Sequence, residues 1–176
     1  MSFHGFTYAR GRHDRFPPGA RAITAAFDLP EGGAYVAQHG PLQLVVLGDR
    51  SSAGDLEWVR RALREPGPAL RFLVAHVPLQ TGDPLLPDLR AAGVAAVFSG
   101  HLHRYERRTV DGVPTFTVGT GGQGPGDPRH TAVSADAAVS LLDIGALIVD
   151  VASDRTLTCT FVDERGAVLD RVTWSP

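Results

Sequence analysis

Three short apolar runs set the pattern of the first hundred residues: Leu42–Gly48 (LQLVVLG), Leu70–Ala75 (LRFLVA) and Val94–Phe98 (VAAVF). They are too short for buried helices, do not alternate strictly, and are bounded by Gly, Pro and Asp. That fits strands covered on both faces, as in a parallel sheet. Between the first two runs the spacing predicts a helix, with Asp55 as N-cap, Leu56, Val59 and Leu63 as its apolar stripe, and Pro66-Gly67 as its stop. A shorter helix is predicted between the second and third, capped by Asp83, opened by Pro84 and ended by Gly93. Strands and helices in alternation are the repeating unit of an α/β sheet.

After residue 104 the pattern changes. Tyr105–Val110 and Val113–Val118 flank Asp111-Gly112, a strong hairpin signal. Gly119–Pro128 (GTGGQGPGDP) is too rich in glycine and proline to be regular. No Gly-Lys-Ser/Thr follows it, so it is not a nucleotide-phosphate loop and reads as a surface connection. The alternating runs Ala146–Val151, Thr156–Val162 and Val168–Trp174, joined by turns at Ser153-Asp154 and Arg165-Gly166, predict an antiparallel meander. No internal repeat or linker divides the chain, so residues 1–176 read as a single domain, a length that supports one real core.

Charge and composition narrow the partners. The net charge of −2 provides no field over the whole molecule to draw in nucleic acid or anionic lipid. Lysine is absent, and every basic side chain is arginine or histidine. Arginine offers a fork of donors that matches phosphate oxygens. Cys159, the one cysteine, excludes an internal disulfide and a thiolate metal cluster, and reads as a small buried side chain in a strand. No apolar stretch is long enough to span a membrane, and Met1–Gly5 has no signal-peptide core, which leaves the cellular address unknown.

Each buried run delivers a polar residue at its carboxyl end: Asp49 after the first, His76 after the second, His101 and His103 after the third. An earlier extended stretch, Phe6–Arg10, leads into Gly11-Arg12-His13-Asp14. Ligands of open α/β sheets bind outside the carboxyl ends of strands, so these four loops are expected to converge on one rim. Neutral imidazole is a common ligand for zinc, iron and manganese. His76 alone would more often be a capping or core histidine. His101 and His103 follow a glycine at i, i+2 spacing, which lets both rings face one point. His4, His39 and His130 have no such context and read as surface residues, and Arg104, Arg107 and Arg108 read as the solvated face of an alternating strand.

The run Ser99-Gly-His-Leu-His-Arg-Tyr-Glu-Arg107 resembles the GHxH motif of calcineurin-like metallophosphoesterases, and its Tyr-Glu-Arg looks like the purple acid phosphatase branch. The other pieces keep the family's order. Gly11-Arg-His-Asp14 resembles its Gly-Asn-His-Asp/Glu, Gly54–Leu63 its intervening helix, Phe72–Pro78 its strand ending in a metal-binding histidine, and Thr117–Gly122 the loop after the hairpin. The resemblance covers the chain from about Arg10 onward and implies an α/β fold, a metallophosphoesterase-like layered β sandwich with flanking helices. In that family metal-activated water attacks phosphorus in line. By the same resemblance His76 and His101 would bind one divalent transition metal (Zn, Mn or Fe) and His103 another, and His13, steered by Asp14, would protonate the leaving oxygen.

Two departures matter. The family's opening Asp-x-His and Gly-Asp-x-x-Asp/Tyr elements, which supply most carboxylate ligands, are not in this sequence, so the amino-terminal part of the fold is expected to be truncated. Arg12 stands where the family has a metal-binding asparagine. Arginine has no acceptor and stays cationic; it would repel a second metal or hold a phosphate oxygen in its place. The expectation is a metal-dependent hydrolase of small phosphoesters with no more than one firmly bound metal. A single-metal hydrolase using His76, His101 and His103 is a variant of that reading, and a catalytically silent binding or structural module is its rival. Absent strands would also leave apolar sheet surface, to be covered by a second copy or by the amino-terminal part of the same protein.

Overall fold

The computed structural model describes residues 9, 11, 19–30, 33–48, 53–68, 70–121 and 133–176. Arg12, His13, Asp14 and Asp49 therefore lie outside the described residues, as does most of the glycine-rich loop. The elements run α1 (Gly19–Ala26), β1 (Ala34–His39), β2 (Leu42–Leu47), α2 (Ala53–Arg64), β3 (Leu70–Ala75), α3 (Leu86–Ala91), β4 (Val94–Ser99), β5 (Tyr105–Val110), β6 (Val113–Val118), β7 (Val139–Leu141), β8 (Gly145–Val151), β9 (Leu157–Asp163) and β10 (Val168–Trp174).

The three apolar runs form the parallel centre of a seven-stranded sheet ordered β1-β2-β3-β4-β6-β5-β7. Leu47, Ala75, Ser99 and Thr117 pair in sequence across β2, β3, β4 and β6, so four strands end level along one edge. Each face of the sheet carries its own core. On one side Val45, Leu47, Leu73 and Val97 pack with Val59 and Leu63 of α2 and Leu86 and Leu89 of α3. On the other, Phe72, Ala96, Tyr105 and Phe116 meet Leu157, Cys159 and Phe161 of the β10-β9-β8 meander. The result is helix, sheet, sheet: the layered sandwich with flanking helices and an antiparallel carboxyl-terminal meander. Cys159 is buried between the sheets, and burial pushes its thiol up to about 12.

The local devices differ from expectation in places. Asp111 and Gly112 turn the hairpin with φ of 45° and 84°, the geometry a two-residue loop demands. Helix α2 starts at Ala53, which places Asp55 in its first turn rather than at the N-cap. Asp83 acts one turn before α3, accepting the Leu85 N–H at 3.0 Å, and Leu85 is the N-cap. Three elements had no expectation: α1, β1 and β7. Strand β1 is an edge strand of mixed exposure, so it lacks the apolar run that marks its neighbours.

The arginines of β5 are a correction. Arg104 and Arg108 are only 3% and 5% exposed, and Glu106 between them is 0% exposed. This face of β5 is covered by residues 134–141, which supply Asp136 to Arg108 (2.8 Å) and Ser134 and Ser140 to Glu106. On the opposite face Asp170 accepts hydrogen bonds from Tyr105 Oη (2.7 Å) and from Arg107 Nε and Nη2 (2.8 and 3.1 Å), fastening the meander to the main sheet.

That last contact gives a pH-dependent prediction. Burial alone would raise the Asp170 carboxyl, but the bonds from Arg107 and Tyr105 outweigh it and hold it below the usual carboxylate range. A group depressed in the folded state contributes stability above its unfolded value of about 3.9, and loses it as pH falls through the folded value. Asp170→Asn should therefore flatten the acid limb of the stability curve below about pH 4. Urea unfolding at stepped pH measures this, and an acid limb identical to wild type would contradict it.

Candidate active site

The level strand ends are extended by one further rung of backbone bonding. His76 donates its N–H to Gly48 O (2.9 Å), and Gly100 donates to His76 O (3.1 Å). This rung fixes the backbone of His76 directly beside that of Gly100. Below it, Ser99 Oγ contacts Phe116 O (3.3 Å) and Thr117 Oγ1 (3.2 Å), closing β4 onto β6 just before the loop begins.

The loop itself is unusually tight. Leu102 N–H bonds Gly100 O at 2.7 Å and Arg104 N–H bonds Leu102 O at 2.8 Å, giving two successive three-residue turns centred on His101 and His103. His101 has φ of 66°, so its turn is the strained γ-type that side-chain-bearing residues rarely adopt. The sequence pointed to Gly100 as the residue permitting the turn, yet the left-handed position belongs to His101. Strain of this kind persists only where surrounding structure holds it, and it gathers at functional sites.

The loop is held by its neighbours. Gly119 N–H bonds Arg104 O at 3.1 Å. A Cβ on Gly119 would lie 1.7 Å from Leu102 O, so only glycine permits the post-hairpin segment to pass this close. Thr120 Oγ1 then donates to Gly145 O (2.9 Å), tying the same segment to the meander.

The outcome is a pair of imidazoles. The rings of His76 and His101 sit edge to face, with centroids 5.2 Å apart and planes at 76°. Two imidazoles on one zinc ion at about 2.0–2.1 Å, in near-tetrahedral geometry, have ring centres roughly 5 Å apart. The centroid separation of His76 and His101 matches that value. Among the described residues no three His, Cys, Asp or Glu side chains form a group that could hold a metal. His103 thus stands at the same rim without forming a three-ligand set with the pair, and His39 lies at the end of edge strand β1. Arg104 and Glu106, buried at the loop's foot, are what sequence reasoning missed. The one available signal was Arg104-Tyr105-Glu106 continuing the histidine motif without interruption.

No protein-family model matches the chain, and neither does any curated protein. Solved structures do resemble it. A purple acid phosphatase, PPD1 from yellow lupin (Lupinus luteus) seeds, matches with a TM-score of 0.68 at 16% identity over 89% of this chain and 36% of that one. GAP50, described as the anchor in the inner membrane complex of Plasmodium, matches with a TM-score of 0.62 at 16% identity over 80% of this chain and 52% of that one. The chain spans about half the length of one and little more than a third of the other. At such low identity the likeness is one of fold alone: a mixed α/β layered sandwich shared with these two structures.

Proposed function

We propose that this chain carries a metal-dependent phosphoester hydrolase site, with His76 and His101 holding one divalent zinc, manganese or iron ion. The observation that carries the reading is the edge-to-face His76–His101 pair, one ring presented from a strained left-handed backbone. A bound ion would supply positive charge to activate water and to stabilise phosphoryl oxygens. His103 would face a second, weaker position. From the sequence, Arg12 would hold a phosphate oxygen through its fork of donors, and His13, oriented by Asp14, would protonate the leaving oxygen. The substrate is a small phosphoester. The carboxylates of a full two-metal site would come from a second copy or from the amino-terminal part of the same protein.

The rival reading, a silent binding or structural module, is favoured by one residue. Arg12 places a fixed cation where the family has a metal-binding asparagine. Hydrolysis of aryl phosphate mono- and diesters by wild type and Arg12→Asn, with added manganese or zinc, separates the two. The hydrolase reading expects slow turnover that is lost with chelator. If Arg12 blocks a second metal, asparagine raises both metal content and rate; if Arg12 binds phosphate, asparagine raises KM. No turnover in either protein leaves the module.

A further inference from the structure

We infer that Glu106 is a positioning residue that sets the geometry of the histidine loop from beneath. Its carboxylate pairs with Arg104 Nε at 3.2 Å, and Arg104 directly follows His103. The Arg104 guanidinium also donates to Ser140 Oγ. The same carboxylate accepts the Ser134 N–H (2.9 Å), Ser134 Oγ (2.8 Å) and Ser140 Oγ (3.2 Å). One buried anion therefore joins the foot of the histidine loop to residues 134–141.

Two arguments make this more than packing. A buried ion pair gains little over an apolar pair of equal volume, because desolvation offsets its attraction; what it adds is one fixed geometry. The strained turn at His101 needs such fixing, since a relaxed loop would rotate His101 away from His76. Arg104 is anchored by its side chain to Glu106 and Ser140 and by its carbonyl to Gly119. Removing the Glu106 charge takes away the ionic part of that anchor and the acceptor shared with Ser134 and Ser140.

The inference rests on the metal reading of the histidine rim for only one of its two readouts. Glu106→Gln keeps the shape and removes the charge. Hydrogen exchange of the metal-free variant should be at least about tenfold faster over residues 100–104 and 134–141, and unchanged over β2 and β3. Zinc affinity should fall about tenfold, the lower end of what losing an orienting contact behind a ligand costs. Wild-type exchange rates over 100–104, or acceleration spread evenly along the chain, would overturn the inference. Should Glu106→Gln fail to fold, the Ser134→Ala/Ser140→Ala double variant keeps the ion pair and removes the hydroxyl donors. The same two stretches must then loosen together, or the inference fails. If the wild-type protein takes up no zinc at all, the hydrolase proposal falls, while the exchange comparison still decides the role of Glu106.

Discussion

Replacing His101 with glycine should make the protein more stable and its metal site worse. At φ of 66° a side-chain-bearing residue costs about 1–2 kcal/mol relative to the right-handed region, whereas glycine occupies this conformation freely. Glycine's looser unfolded chain returns part of that, roughly 0.5–1 kcal/mol. The net expectation is a gain of up to about 1.5 kcal/mol in urea unfolding. The imidazole is lost at the same time, so metal affinity should fall by at least about a hundredfold, more than the loss of a merely orienting contact. Opposite signs are the signature of a residue kept for chemistry against its backbone preference. If His101→Gly destabilised the fold instead, the ring would be a packing element, and the strain at this position would need another explanation.

Gly119→Ala should have the larger effect on the fold. The added methyl would lie 1.7 Å from Leu102 O and 2.7 Å from Leu102 C, both backbone atoms that no side-chain rotation can clear. Either the 100–104 loop or the segment after β6 must move. Overpacking of this kind costs about 1–3 kcal/mol, and here the displaced atoms belong to the turn between the two loop histidines. Stability should fall within that range and metal affinity should fall with it, even though no ligand is touched. Thermal melts with a zinc titration read both. Wild-type affinity in a destabilised Gly119→Ala would show that the loop's position does not control the site.

Much of this architecture was legible because it is written in local signals. Runs such as LQLVVLG and VAAVF announce strands buried on both faces, Asp111-Gly112 announces its turn, and the alternation from Ala146 onward announces a meander. Their position at the carboxyl ends of those runs puts His76 and His101 on one edge, where the structure has them. What stayed hidden depends on distant partners. Arg104 and Arg108 look solvated in an alternating strand, yet residues 134–141, about thirty positions later, help to bury them. Strand β1 has an edge strand's weak pattern. The left-handed turn falls on His101 rather than on Gly100, because close packing of Gly119 against Leu102 shapes the loop from outside.

Metal content per chain, measured for wild type and His76→Ala after loading with zinc and removal of free ion by gel filtration, decides whether the histidine pair holds an ion. His76 contributes one of the two facing rings, while its strand is fixed by backbone bonds that alanine leaves in place. One zinc ion should be retained per wild-type chain and none in His76→Ala, with both proteins folded. Equal zinc in the two proteins, or none in either, would contradict it.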